Sequence, residues 1–397
     1  LNAPLGGRPI GQVIIGTALG MYFTPVVARE VASLWHILVV AAILAIVIGA
    51  LCGWMLSRLS GADRSTAFFA SIPGGATEMA VLAERYGARV DHVAFAQSLR
   101  ILSQFNITQY APSDPTNEGG VPSVMGVHLV SEAERLAYAD RDKYVADTDF
   151  VPLPAQGLAS LLSPDYLKKR ASLISLDKSM GTAAPGDFGP VPLGVDKTEE
   201  HGTTHLSVVD AYGNVVSMTT TVESSMGSFH MVEGFLLTNQ LTDFSANPVD
   251  AGGHPVANRV APGKRPRSTM APTLVFKGTA PGDFVMATGS PGGGAIIQYV
   301  TKTIVGALDW GLDAQQATSL VNFGATNNPT TGVDGSNTTL DLTGLVAGLK
   351  AKGHTVNNAA QSSGVATIMR VTRDGKAQLQ GGADPRREGI VLGDGSL

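Results

Sequence analysis

The sequence predicts two unlike parts, an α-helical transmembrane segment followed by an α+β domain of packed sheet and helix. Two patterns predict them. Residues 34–56 read LWHILVVAAILAIVIGALCGWML, and no charge occurs between Glu30 and Arg58. A helix of about 20 apolar residues spans a bilayer core. From Thr203 the pattern turns to strands: THLSVVD alternates, AYGN makes a turn, and VVSMTTTVE alternates again. That is a hairpin signal, and strand pairs with helices between them build a layered domain.

Composition agrees. The 397 residues suffice for two domains. Charged residues make up 15%, below the roughly 25% of an average soluble domain. Glycine is abundant, at 47 residues, which suits membrane helices and tight β-turns alike. A net charge of -5 argues against nucleic acid as partner, which calls for a basic patch or stripe. One cysteine, Cys52, excludes an intramolecular disulfide. No His/Cys cluster has metal-ligand spacing, and no cofactor is expected.

In the N-terminal part, Trp35 and Trp54 lie near the ends of the main span, where interfacial aromatics belong. The window from Pro9 to Ala28 is also uncharged but carries Gly11, Gly16, Gly20 and Pro25, which suits a short or re-entrant span. The start lacks a basic region and a cleavage site, which argues against a secretory signal. His36 and Cys52 read as lipid-facing or packed residues, and Glu78 as a candidate for a polar cavity. Residues 66–90, TAFFASIPGGATEMAVLAERYGARV, place a Pro-Gly-Gly break before a helical pattern. With the spans before it, this stretch resembles the AbrB-type family of bacterial membrane proteins over about residues 9–99. The resemblance implies membrane location and contact with lipid. Near Gln97–Gln104 the character changes without a Gly/Ser-rich or Pro-rich linker. Domains usually meet at an exposed, flexible linker, so the expectation is a seam between unrelated parts, a fusion or rearranged reading frame. The divisions read as 1–99, 100–202 and 203–397.

Beyond the seam, 124–147 has helical periodicity. Residues 151–202 are rich in Pro, Gly and Ser and read as loop, with a short helix near 164–176. Further strands are expected at 233–238, 272–277, 283–288, 365–372 and 376–380, and helices at 293–309 and 313–321.

The chemistry centres on Gly202-Thr203-Thr204-His205. A hydroxyl is a weak nucleophile without a base beside it. Cutting the bond before Thr203 would free its own α-amine, whose pKa lies near 7.7–8.0. That amine can serve as the base, and a β-branched residue holds its hydroxyl stiffly. Taken alone, these four residues also read as an ordinary strand start. The surrounding motifs carry more. GTTHLSVVDAYGNVVSMTTT at 202–221 is followed by NQLTDFS at 239–245, KRPRSTMAPT at 264–273, TGSPGGG at 288–294 and ADPRREG at 383–389. SEAERLAYADRDKY at 131–144 precedes them. In this order and spacing the set resembles the γ-glutamyltransferases, from near the end of the large subunit through the small subunit, over about 101–397.

The resemblance implies an N-terminal-nucleophile (Ntn) hydrolase fold, an αββα sandwich, here incomplete. It implies self-cleavage before Thr203, which then attacks the γ-glutamyl amide of glutathione or another γ-glutamyl compound. An amino acid, a peptide or water accepts the acyl group, and the catalytic part is expected in the periplasm or outside the cell. Thr221 would orient Thr203. Gly292 and Gly293 would supply the oxyanion hole, as preset donors for developing charge. Gln240 and Asp243 would bind the substrate ammonium, and Ser268 and Thr269 its α-carboxylate. Glu223 departs from the family, which commonly has Asn there; it could accept from an ammonium but would repel an α-carboxylate. Most of the family's large subunit has no counterpart, including an Arg that grips the carboxylate, and neither Arg100 nor Arg135 is placed to replace it. An inactive chain is therefore one expected outcome. The alternative readings are an AbrB-like membrane fragment carrying an inert passenger, and an acylase of the cephalosporin or glutaryl type.

Overall fold

The computed structural model describes residues 93–198, 200–278 and 281–393. The spans expected at 9–28 and 34–56, the half-helix after residue 75, and His36, Cys52 and Glu78 lie outside the described residues. Among the described residues no helix is long and apolar enough to cross a membrane. The stretch Arg89–Leu392 forms one unit.

Its central pillar is α2, Val124–Tyr144, capped by Ser123, whose hydroxyl accepts from the Gly126 amide at 3.1 Å. Its helical periodicity implies an amphipathic helix with one wet face. The structure buries it all round, including Glu132, Glu134, Arg135, Asp140 and Arg141. A buried polar group must be paired, and α2 finds several of its partners in the linker that follows. The Glu132 carboxylate accepts from Ser179 Oγ at 2.8 Å and the Met180 amide at 2.7 Å. Asp140 accepts from the Gly186 amide at 2.7 Å, and the Asp142 carbonyl from the Asp196 amide at 2.9 Å. Arg141 reaches Glu200. The loop from 172 to 200 is therefore laid against one helix, and its far end is delivered to a fixed place. Two shorter helices flank α2. Helix α1, Val93–Leu102, packs on α2 and crosses the compositional seam; α3, Pro164–Ala171, starts with Pro after the capping Ser163.

The strands expected after Thr203 are present. Strands β1 (Thr204–Val209) and β2 (Val215–Thr220) pair as an antiparallel hairpin. The segment expected as one strand at 233–238 is instead a tight pair, β3 (Met231–Val232) and β4 (Phe235–Leu236), turned at Glu233 and Gly234, both with positive φ. Strands β5 (Thr273–Phe276) and β6 (Phe284–Gly289) enter a four-stranded antiparallel sheet in the order β11-β10-β6-β5. Here β10 is Ala366–Arg373 and β11 is Lys376–Ala383. Helices α4 (Ile296–Leu308) and α5 (Ala314–Ser319) follow, the second opened by an Asp313/Gln316 capping box. A third sheet was not legible in the sequence. It joins β7 (Phe323–Gly324), β8 (Thr330–Val333) and β9 (Thr355–Asn358). The parallel pair β8–β9 is bridged by helix α6, Thr343–Ala351.

Register fixes the layers. Thr288, Thr367 and Gly382 lie opposite one another across β6, β10 and β11. A Cβ on Gly382 would strike the Ala314 carbonyl, so this face meets α5. Gly289, one residue on, points to the other face, where a Cβ would strike the His205 ring of β1. The order is helix, four-stranded sheet, hairpin. The hairpin turns its polar residues inward: Ser207 Oγ donates to the Ala366 carbonyl at 3.2 Å and Ser217 Oγ to the Thr288 carbonyl at 3.0 Å. Its outer face shows Leu206, Val208, Val216 and Met218, all exposed. Among the described residues no helix covers that face. Among the described residues the layers are these three.

His205 is held between the two sheets by Thr219 Oγ1 at 2.8 Å and Ser207 Oγ at 3.1 Å. Burial pushes its pKa down to about 4. His354 is also pushed to about 4, by burial and then by the neighbouring His128. The unfolded chain binds these protons near pH 6.5, more readily than the folded chain. Stability should be full above pH 6.5 and fall steadily toward pH 4, each pKa unit costing roughly 1.4 kcal/mol per ring. Thermal melts across that range should show the fall. A His205→Gln variant should show a shallower one.

Candidate active site

Thr203 directly precedes β1, and Thr221 directly follows β2. The pairing of Thr204 with Thr220 sets the two side by side at the open end of the hairpin. Thr203 has φ 102. A β-branched residue in that region is a true outlier and costs about 1–3 kcal/mol. Gly202, at φ 80, lies so close to the Glu223 backbone that a Cβ would sit 1.5 Å from its carbonyl oxygen. Glu223 itself has φ 70. Three residues around one peptide bond thus occupy conformations that L side chains resist. The Thr221 hydroxyl accepts from the Glu223 amide at 2.7 Å and holds this turn.

The glycine loop faces the segment just before that bond. Gly292 and Gly293 have φ 138 and 54, and Gly293–Ala295 forms a 3-10 turn into α4. A Cβ on Gly293 would sit 2.0 Å from the Glu200 carbonyl oxygen, and the Gly294 amide donates to that oxygen at 3.1 Å. The segment before Thr203 thus lies in the glycine loop. The Thr269 hydroxyl donates to the Gly293 carbonyl at 2.7 Å and Tyr138 OH to the Gly294 carbonyl, which fixes the loop from behind. Ser268, beside Thr269, accepts from the Met270 amide at 3.1 Å.

The third group is acidic. Glu223 is buried, and its Oε2 accepts from Ser224 Oγ and Asn239 Nδ2, each at 2.6 Å. Gln240 opens a 3-10 turn that ends at Asp243, and its side chain hydrogen-bonds the Asp243 carboxyl. Asp243 is buried, and its Oδ1 has no partner. Burial, then the charges of Glu200 and Glu223, push its pKa up to about 7. A cation placed there would restore the carboxylate and pair the orphan oxygen. Below pH 7 such binding must expel the proton. Affinity of the uncut chain for an ammonium ligand should therefore rise with pH from about 5 to 7, then level off. Calorimetry across that range checks this, and Asp243→Asn should flatten the profile.

The structure thus brings Thr203, Thr221, Glu223, Gln240, Asp243, Ser268, Thr269, Gly292 and Gly293 into one neighbourhood. Sequence reasoning missed Arg141, Glu200, Arg267 and Tyr138, which hold the linker and loop in place. Three of the four sit inside quoted motifs, and that was the available signal. Arg135 is tied inside the core to Glu132 and Thr331, and Arg100 lies on the surface, donating to the Leu162 carbonyl.

This frame is part of the Ntn-hydrolase fold of the transpeptidases and acylases. A cephalosporin acylase from Bacillus halodurans superposes with TM-score 0.59 at 23% identity, covering 76% of this chain and 49% of that one. Residues 87–394 match the Gamma-glutamyltranspeptidase family, and the chain belongs to it. It is 41% identical over 233 residues to the glutathione hydrolase proenzyme of Bacillus subtilis (strain 168), a match covering 56% of this chain and 36% of that protein. It is 36% identical over 241 residues to the Escherichia coli (strain K12) glutathione hydrolase proenzyme, covering 58% and 37%. The chain spans between about a third and a half of the length of the curated relatives it matches. Residues 1–105 match a second family, described as Transition state regulatory protein AbrB. The two matched regions overlap over 87–105, which includes α1.

Proposed function

We propose that the chain is a γ-glutamyl hydrolase and transferase precursor that cuts itself before Thr203 and then works through an acyl-enzyme on that residue. One observation carries the reading: the Gly202–Thr203 peptide is held in strained geometry beside a glycine loop and an unpaired buried acid. In the first step Thr203 Oγ attacks the Gly202 carbonyl, the C–N bond breaks, and water cleaves the resulting ester. That leaves a free Thr203 amine. In the second, this amine takes the hydroxyl proton as Oγ attacks the γ-carbonyl of the substrate. Amide donors of the glycine loop stabilise the oxyanion. The leaving amine departs with a proton, and water or an acceptor amine releases the acyl group. Asp243 with Gln240 holds the substrate ammonium, and Ser268 and Thr269 lie on the carboxylate side. The AbrB-like region implies attachment of this activity to a membrane, with the catalytic part on the periplasmic or outer face.

Glu223 supports a second reading. A carboxylate in this position repels an α-carboxylate, which favours an acyl group without one, as in a glutaryl amide. Release of p-nitroaniline from γ-glutamyl p-nitroanilide, set against the glutaryl anilide, separates the two. The first reading predicts release from the γ-glutamyl compound and none from a Thr203→Ala chain. Equal release from both chains would end it. Membrane fractionation without either activity would favour the passenger reading.

A further inference from the structure

We propose that Arg141 and Arg267 form the carboxylate-binding half of the substrate site, occupied in the uncut chain by Glu200 and handed to the substrate's α-carboxylate once the linker is cut. This rests on the reading of the site as one for γ-glutamyl compounds. Both guanidiniums are buried, at 3% and 2% exposure. Arg141 Nη2 lies 2.6 Å from Glu200 Oε1, and Arg267 Nε lies 3.5 Å from the same oxygen. The Thr269 hydroxyl, which donates to the Gly293 carbonyl at 2.7 Å, lies near enough to help hold the Glu200 carboxyl below its usual pKa, so it links the ion pair to the glycine loop.

Glu200 stands three residues before Thr203 on the segment that self-cleavage converts into a free tail. While it is bound, two guanidiniums face three carboxylates: Glu200, Asp142 at 3.7 and 3.8 Å, and Asp196 at 3.2 Å. Of the three, Glu200 makes the closest contact, at 2.6 Å from Arg141 Nη2. Arg141 Nε has no partner even with Glu200 in place. Departure of the tail would leave Arg141 with Asp142, at 3.7 Å, as its nearest carboxylate, and a buried guanidinium that loses its close partner is costly. A carboxylate of the same shape relieves it, and the planar fork of Arg suits that group. On the other side lies Asp243, near enough for the Glu200 charge to raise it and with an oxygen awaiting a donor. A cation site and an anion site within electrostatic reach of each other match the ammonium and carboxylate on one α-carbon. In this arrangement the linker's own glutamate stands in for that carboxylate and keeps the site closed until cleavage.

The test uses the full chain with Thr203→Ala, which stays whole, with and without Glu200→Gln. L-glutamate should bind the double variant at least ten-fold more tightly, and adding Arg267→Met should remove the gain. 4-Aminobutyrate, which lacks the α-carboxylate, should gain nothing. Equal gains for L-glutamate and glutarate would support the arginine pair while removing the γ-glutamyl reading. No gain for either would overturn the pair. If Glu200→Gln fails to fold, tryptic cutting after Lys197 in the Thr203→Ala chain replaces it. Saturating L-glutamate should displace the linker and speed that cut several-fold; unchanged cutting would overturn the proposal.

Discussion

Gly202→Ala is expected to slow self-cleavage by on the order of 100-fold or more, the cost of misplacing reacting groups by about an ångström. The added methyl would sit 1.5 Å from the Glu223 carbonyl oxygen, which is backbone and cannot swing aside. The φ of 80 at this position adds a second penalty, of about 1 kcal/mol for leaving glycine. Either the hairpin opens or the scissile peptide turns away from Thr203, and both remove the attack geometry. Electrophoresis of purified chain over time reads the rate. Cleavage at the unaltered rate would mean that this close approach does not align the bond.

Arg135→Met is expected to destabilise the Arg89–Leu392 unit by about 3–5 kcal/mol, the usual cost of leaving a buried charge alone. Arg135 Nε lies 3.3 Å from Glu132 Oε1 with neither side chain exposed, and its Nη2 donates to Thr331 Oγ1 at 2.7 Å. Glu132 would keep Ser179 and Met180 but lose its counter-ion. The linker hangs from that carboxylate, so the loss should spread toward the cleavage site. Replacing Glu132 by Met as well should recover part of the loss, because neither member of the pair is then left buried without the other. Urea unfolding of the single and double variants measures both effects.

The parts legible in the sequence were those where local pattern and tertiary demand agree. The β1–β2 hairpin shows strict alternation and a turn, and the glycine loop shows its residues outright. Helix α2 was legible as a helix but misread in its surroundings, because its polar residues face a linker rather than water. No periodicity could show that Glu132, Asp140 and Arg141 anchor residues 179 to 200. The sheet of β7, β8 and β9 escaped because strands of two to four residues rich in Gly, Thr and Asn read as turns. Helix α6 was hidden between two of them. Glu200 escaped for another reason: a carboxylate in a DKTEEHG run looks solvated, and its two arginines lie 59 and 67 residues away.

The alternation of the hairpin has a consequence for completeness. Leu206, Val208, Val216 and Met218 form an apolar outer face with nothing described upon it. The curated relatives contain far more chain than is matched here. The activity of those relatives is therefore a separate matter from the proposed cleavage at Thr203, whose strained bond, hydroxyl and glycine loop all lie within this chain.

Intact-mass analysis of the purified full chain decides whether Thr203 cuts the bond before it. Two products are expected, the second beginning at Thr203 and ending at Leu397, and a single uncut species for Thr203→Ala. A wild-type chain that stays whole on prolonged incubation, or cleavage that persists unchanged in Thr203→Ala, would contradict it.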